Sequence, residues 1–147
     1  MKILLATDGS AHSNAAVKEI ATRPFPLNTK VHIVSAYEYT PLITTLEQMG
    51  VSQKYYATAE KYALKAAEKI TKNAAEILRK KNPALTVTTA DIEGSPKTVI
   101  IEEAKKFGAD LIIVGSHGAG VVERFLLGSV SQAVALHAKC SVEIVRK

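Results

Sequence analysis

Apolar residues fall along this chain in two alternating rhythms. Five short β-type runs come first to notice: KILLA (2–6), KVHIVSAY (30–37), ALTVTTADI (84–92), DLIIV (110–114) and SVEIVR (141–146). The first and fourth are continuously apolar, as in central strands covered on both faces, whereas the third alternates as a less buried strand does. Between them the spacing becomes helical. Residues 13–22 place Ala16, Val17, Ile20 and Ala21 on one face, with Ser13 as N-cap. Residues 55–80 form the longest helix, with Ala59, Tyr62, Ala63, Ala66, Ile70, Ala74, Ile77 and Leu78 as its stripe and Pro83 beyond its end. Residues 96–107 are punctuated by Ser95 as N-cap, Pro96 at the first position and Gly108 past the end. A last helix, 129–138, carries Val130, Ala133, Val134 and His137.

Strand and helix therefore alternate throughout, which predicts an α/β fold: one open, five-stranded parallel sheet with helices on both faces. The length of 147 residues fits one domain, 1–147. Residues 38–54 are the one long irregular connection, a length at which loops serve as lids or partner surfaces.

In open parallel sheets ligands sit beyond the carboxyl ends of the strands. Three places qualify: ATDGS (6–10), Ser35 to Tyr37, and GSHGAGVVERFLLGS (115–129). After the first strand, Asp8 precedes a glycine. Asp-Gly is also ordinary turn chemistry, so the residues alone leave its role open. After the fourth strand come Gly115 and Gly118, then nine residues, then Gly128 and Ser129 opening a helix. With eight glycines in the chain, chance supplies roughly 0.04 such triplets. Small residues and the amides of a helix start make an anion site, with Ser129 and Ser131 adding hydroxyls. A P-loop is excluded because no lysine precedes Ser129. A dinucleotide fingerprint is excluded because residue 123 is Glu and the segment does not open the first βα unit.

Composition narrows the partners. Lys and Arg number 19 against 14 Asp and Glu, a net charge of +5. That excess favours anions in general without specifying nucleic acid. Five Tyr, three Phe and no Trp supply base stacking poorly, so no nucleic-acid partner is expected. Cys140 is the only cysteine, which fits a reducing compartment and a small buried hydrophobe. The N-terminus is too short of apolar residues for a signal peptide, and no run approaches a membrane span, so a cytoplasmic location without membrane contact is expected. His12, His32 and His137 have no metal-triad spacing, and no G-x-S-x-G elbow supports a hydrolase triad. Arg124 is either a phosphate clamp or a solvated loop charge. The run Arg79, Lys80, Lys81 suits a helix C-terminus.

Over its whole length the sequence resembles the universal stress protein family in its ATP-binding branch. KILLATDGS, EGSPKTVIIEEAKKFGADLIIVGSHG and LLGSVSQAVALHAKCSVEIVR carry the resemblance. The family motif G-x-x-G-x9-G-[S/T] is met by Gly115, Gly118, Gly128 and Ser129. The resemblance implies the strand order 3-2-1-4-5, a Rossmann-like adenine-nucleotide site, and a homodimer joined through the edge strand 141–146. It implies ATP, with AMP as the alternative, held together with Mg2+ or Mn2+. Ala6, Thr7 and Asp8 would lie at ribose or phosphate, Asp8 also at the metal, and Ala36 at the adenine. Gly115, His117 and Gly118 would meet ribose and phosphates, and Gly128, Ser129, Val130 and Ser131 the phosphates. Two features depart from the pattern: Cys140-Ser141 stands where many relatives have Cys-Pro, and the 38–54 loop has no counterpart. Function is then expected to be nucleotide-dependent stress response or signalling, with slow hydrolysis or autophosphorylation as the upper limit of chemistry. The alternative is an interaction protein working through dimer surfaces and residues 38–54 without nucleotide. An adenylating or pyrophosphatase-like enzyme would need a phosphate loop near residue 9, where DGSAHS has one glycine.

Overall fold

A computed structural model describes residues 1–38, 53–118 and 127–147. Its strands are β1 (Lys2–Ala6), β2 (Lys30–Tyr37), β3 (Thr86–Glu93), β4 (Leu111–Gly115) and β5 (Ser141–Val145). They form one parallel sheet in the order β3-β2-β1-β4-β5. Among the described residues the helices are α1 (Ala11–Thr22), α2 (Gln53–Lys81), α3 (Pro96–Phe107) and α4 (Ser129–His137). Fold class and strand order are as expected. Helices α1 and α2 cover one face, α3 and α4 the other.

The pleat explains why β1 reads as unbroken apolar sequence. Ile3 and Leu5 enter the core under α1 and α2, while Leu4 and Ala6 enter the core under α3 and α4. Burying each of the larger three stabilises the fold by on the order of 1.5–3 kcal/mol. β1 and β4 are adjacent, and the strand order reverses between them. The helix that follows β1 lies on one face and the described helix that follows β4 lies on the other, leaving a crevice at their carboxyl ends.

Several boundaries and faces differ from the sequence expectation. Ser10, not Ser13, caps α1: its hydroxyl accepts from the Ser13 amide at 3.2 Å. Ser13 is instead buried in the first turn, at 4% exposure. Ser95 holds the N-cap position of α3 without a side-chain cap bond, its carbonyl accepting from the Thr98 and Val99 amides. Gly108 closes that helix in the left-handed region, φ 67°, as a C-terminal glycine does. The buried stripe of α2 is Ala67, Thr71, Ala74, Ala75 and Leu78, while Tyr62 and Ile77 are exposed. In so alanine-rich a helix the apolar residues do not define one face. A polar bond settles the rotation instead: the Thr71 hydroxyl donates to Asp91 on β3 at 3.1 Å. On α4 the buried residues are Ser131 and Val134, and His137 is exposed.

Asp91 gives one consequence of that bond. Burial raises its pKa above the ordinary carboxylate value, the Thr71 bond lowers it, Glu68 raises it again and Lys72 lowers it. A carboxyl whose folded pKa is raised binds its proton more tightly in the native state. Its contribution to stability is present at low pH and fades as pH rises through the raised value. Asp91→Asn is therefore expected to gain a few tenths of a kcal/mol at pH 7, and nothing below pH 4, in urea melts at both values. An equal effect at both would remove ionisation as its cause.

The edge strand β5 is tied to α1 by charge. Both nitrogens of the Arg23 fork reach Glu143 at 2.7 Å, and Glu19 lies at the same distance. The two carboxylates raise the Arg23 pKa, so it stays charged. Cys140 is half-buried. Burial, reinforced by Asp110, raises its thiol above the usual range, as suits an unreactive side chain.

Candidate functional site

The crevice at the carboxyl ends of β1 and β4 is a cleft of about 290 Å³. That is near the lower end of ligand-site volumes. Its lining includes Ala6, Thr7, Asp8, Ala36, Gly115, His117, Gly118, Gly128, Ser129, Val130 and Ser131. The eleven residues that the resemblance assigns to the nucleotide thus line one cleft. The lining also includes Ser13, Val34, Pro96, Ile100 and Val114, which sequence reasoning did not pick out. Val34 was within reach: it lies two residues before Ala36, on the same side of the pleat. Pro96 and Ile100 open the helix after β3, and only the docking of α3 against β2 brings them in.

The turn after β1 is built by its own side chains. The Thr7 amide donates to the Val34 carbonyl at 3.0 Å, continuing the sheet. Gly9 lies at φ 75°, a conformation that favours glycine. The Gly9 amide donates to Thr7 Oγ1 at 3.3 Å and the Ser10 amide to Asp8 Oδ1 at 3.0 Å. Asp8 is exposed. The turn reading of Asp8 holds: one carboxylate oxygen makes the turn, and the other faces Gly118. A Cβ on Gly118 would lie 2.9 Å from Asp8 Oδ2.

The other two motif glycines are needed by the fold itself. A Cβ on Gly115 would meet the Ser13 nitrogen at 2.6 Å and the His12 carbonyl carbon at 2.7 Å. The start of α1 packs directly on the end of β4, and no side chain fits between. A Cβ on Gly128 would meet the Ser116 carbonyl oxygen at 3.1 Å and His117 Cα at 3.2 Å.

The expectation of unengaged amides and hydroxyls at the last helix needs correction in two respects. The Gly128 amide donates to the Ser116 carbonyl at 2.8 Å. The Ser131 hydroxyl, buried at 2% exposure, is shared between the Ser116 and Gly128 carbonyls, each at 2.9 Å. These bonds moor α4 to the end of β4. What remains is the first turn: the amides of Ser129, Val130 and Ser131, which an α-helix leaves without intrahelical partners. Among the described residues none of them donates to a backbone carbonyl outside the helix. The Ser129 side chain is exposed.

The cleft has a polar and an apolar end. Val34, Ala36, Ile100 and Val114 line the latter. Ser35 faces the opposite side of β2 and is buried at 2% exposure. Near the polar end, His117 is 9% exposed and its Nδ1 lies 3.1 Å from Ser116 Oγ. His12 lies with its Nδ1 3.2 Å from the same hydroxyl. His32 is remote from the cleft, bonded to Thr88 at 2.8 Å and 3.5 Å from Glu103. Arg124 and residues 39–52 of the long connection lie outside the described residues. Among the described residues no group of three or more His, Cys, Asp or Glu is placed to hold a metal, and no helix is long and apolar enough to cross a membrane.

Comparison with known proteins agrees with the fold. The model of the universal stress protein family matches residues 1–146. A Staphylococcus epidermidis protein, provisionally named for that family, is 34% identical over 148 residues, covering 98% of this chain and 82% of its own. Among solved structures, a protein whose biochemical function was assigned from its structure superposes with a TM-score of 0.82 at 23% identity, covering 99% of this chain and 95% of that one. A universal stress protein in complex with cAMP gives 0.62 at 24% identity, covering 99% and 95%. An Arabidopsis thaliana family protein with AMP bound gives 0.57 at 18% identity, covering 100% and 92%.

Proposed function

Since the chain belongs to the universal stress protein family, we propose that it binds adenine nucleotides in the cleft between β1 and β4. ATP is the leading ligand and AMP the alternative. In this reading the protein is a cytoplasmic, nucleotide-dependent regulator of stress response or signalling. The observation that carries it is the cleft's polarity. Val34, Ala36 and Ile100 offer an apolar wall at one end, and the first turn of α4 offers outward amides at the other. Relatives of the same fold hold cAMP and AMP, which share adenosine and one phosphate.

Magnitudes assign the parts. Micromolar affinity corresponds to about −8 kcal/mol. A helix N-terminus supplies on the order of 0.3–1 kcal/mol at an exposed site, up to ~2 in favourable geometry. The base must therefore contribute most of the binding, through burial against Val34, Ala36 and Ile100. The phosphates are held by the amides of Ser129, Val130 and Ser131, with Ala6 and Thr7 along the ribose, Gly115, His117 and Gly118 along ribose and phosphates, and Gly128 allowing α4 its close approach. Asp8 is a single carboxylate, and Mg2+ is commonly held by one or two carboxylates together with substrate phosphates. The residues thus fit Mg2+ or Mn2+ arriving with the nucleotide, which would neutralise phosphate charge. The proposal assigns binding rather than turnover.

The edge position of β5 supports a homodimer through residues 141–146. Val142, Ile144 and Val145 are half-buried, and an unpaired apolar edge invites a second copy. The nucleotide-independent reading would act through dimer surfaces and residues 38–54, of which 39–52 lie outside the described residues.

Calorimetry tests the proposal. ATP titrated into purified protein is expected to bind with a dissociation constant in the micromolar range, about −8 kcal/mol, and adenosine to retain most of that free energy. Absence of heat with both at millimolar concentration would reject it.

A further inference from the structure

Ser116 stands between two imidazoles that the sequence separates widely. Its Oγ is 3.2 Å from His12 Nδ1 and 3.1 Å from His117 Nδ1. The ring centroids are 5.2 Å apart and the planes tilted by 54°. Ser116 is 1% exposed, so water is no substitute for either ring. A hydroxyl carries one proton. Its two lone pairs would let it accept from both rings, but its own buried proton would then lack a partner among the described residues, so it donates to one Nδ1 and accepts from the other. Two neutral arrangements satisfy this. In the first, His12 Nδ1–H donates to Ser116, Ser116 donates to His117 Nδ1, and His117 carries its proton on Nε2. In the second every proton is reversed, and His117 Nε2 is a bare acceptor.

The two rings do not weigh equally in that choice. His12 is half-exposed, so water satisfies its Nε2 in either form. His117 is only 9% exposed and lines the cleft. Its Nε2 is shielded and has no hydrogen-bond partner among the described residues. A buried polar atom without a partner calls for an explanation. A phosphate oxygen of a nucleotide in the cleft would supply one, and only the first arrangement gives it an N–H.

We propose that His12 and Ser116 are positioning residues that fix the proton of His117 on Nε2, making that ring a donor to an anionic oxygen in the cleft. The inference rests on the reading that the cleft takes a phosphorylated adenosine. It adds a consequence: a phosphate in the cleft sets the tautomer of His12 at the surface.

Ring nitrogen-15 spectra of the wild type, His12→Asn, His12→Leu and Ser116→Ala, with and without AMP, test it alongside calorimetric affinities for AMP and adenosine. Asparagine keeps an N–H donor near the position of His12 Nδ1, and leucine does not. With AMP, the wild type is expected to show His117 protonated at Nε2 and His12 at Nδ1. His12→Asn keeps the His117 form. His12→Leu and Ser116→Ala lose it and weaken AMP about three- to tenfold, with adenosine unchanged. Unaltered His117 ring signals in His12→Leu, with AMP still bound at wild-type strength, overturn the relay alone. Failure of the wild type to bind either AMP or adenosine overturns the nucleotide reading and this inference together.

Discussion

Gly115→Ala is expected to destabilise the protein by about 1–3 kcal/mol, the range for forcing an extra carbon into a packed interior. The new methyl would stand 2.6 Å from the Ser13 nitrogen and 2.7 Å from the His12 carbonyl carbon. Both are backbone atoms of the first turn of α1, so no side-chain rotation relieves the contact. Relief requires α1 to lift from β4. That movement would strain the Ser10 cap, the Thr7 bond to Ser13 at 3.2 Å and the His12 bond to Ser116. Urea melts measure the effect as a lower midpoint with an unchanged slope. An unchanged midpoint would mean that Gly115 is present for a ligand and not for packing.

Gly118→Val is expected to do the reverse, leaving stability within about 0.5 kcal/mol of wild type while weakening ATP at least tenfold, about 1.4 kcal/mol. Gly118 is exposed, and among the described residues its added Cβ would meet only the Asp8 carboxylate, 2.9 Å away. The Asp8 Oδ1 bond to the Ser10 amide limits how far that carboxylate can retreat. Valine's two further methyl groups would crowd the mouth of the cleft between Asp8 and α4. Wild-type affinity in this variant, measured by calorimetry, would place the phosphates elsewhere. Together the two glycine variants separate the motif into a part that builds the fold and a part that faces the ligand.

The sheet was legible because its central strands are short apolar runs between punctuated helices. DLIIV must be covered on both sides, and Ser95, Pro96 and Gly108 bracket α3 with little ambiguity. The strand order came from the family resemblance rather than from the pattern. The glycine spacing marked a segment that lines the cleft, but a sequence shows only that a Cβ is missing, not what takes its place. Thus Gly115 and Gly128 serve helix packing, and the Ser131 hydroxyl moors α4. The face of α2 was misplaced because alanines at 59, 63, 66 and 74 fit several stripes, and the Thr71–Asp91 bond that decides between them joins two elements. His12 was passed over for the same reason. Its contact with Ser116 depends on the docking of α1 on β4, and no local periodicity encodes it.

A crystal grown with ATP and Mg2+ tests the central claim most directly. The account predicts phosphate density within hydrogen-bond distance, roughly 3 Å, of the Ser129, Val130 and Ser131 amides, with the base against Val34 and Ala36. An empty cleft at saturating ATP, or nucleotide bound at any other surface, would contradict it.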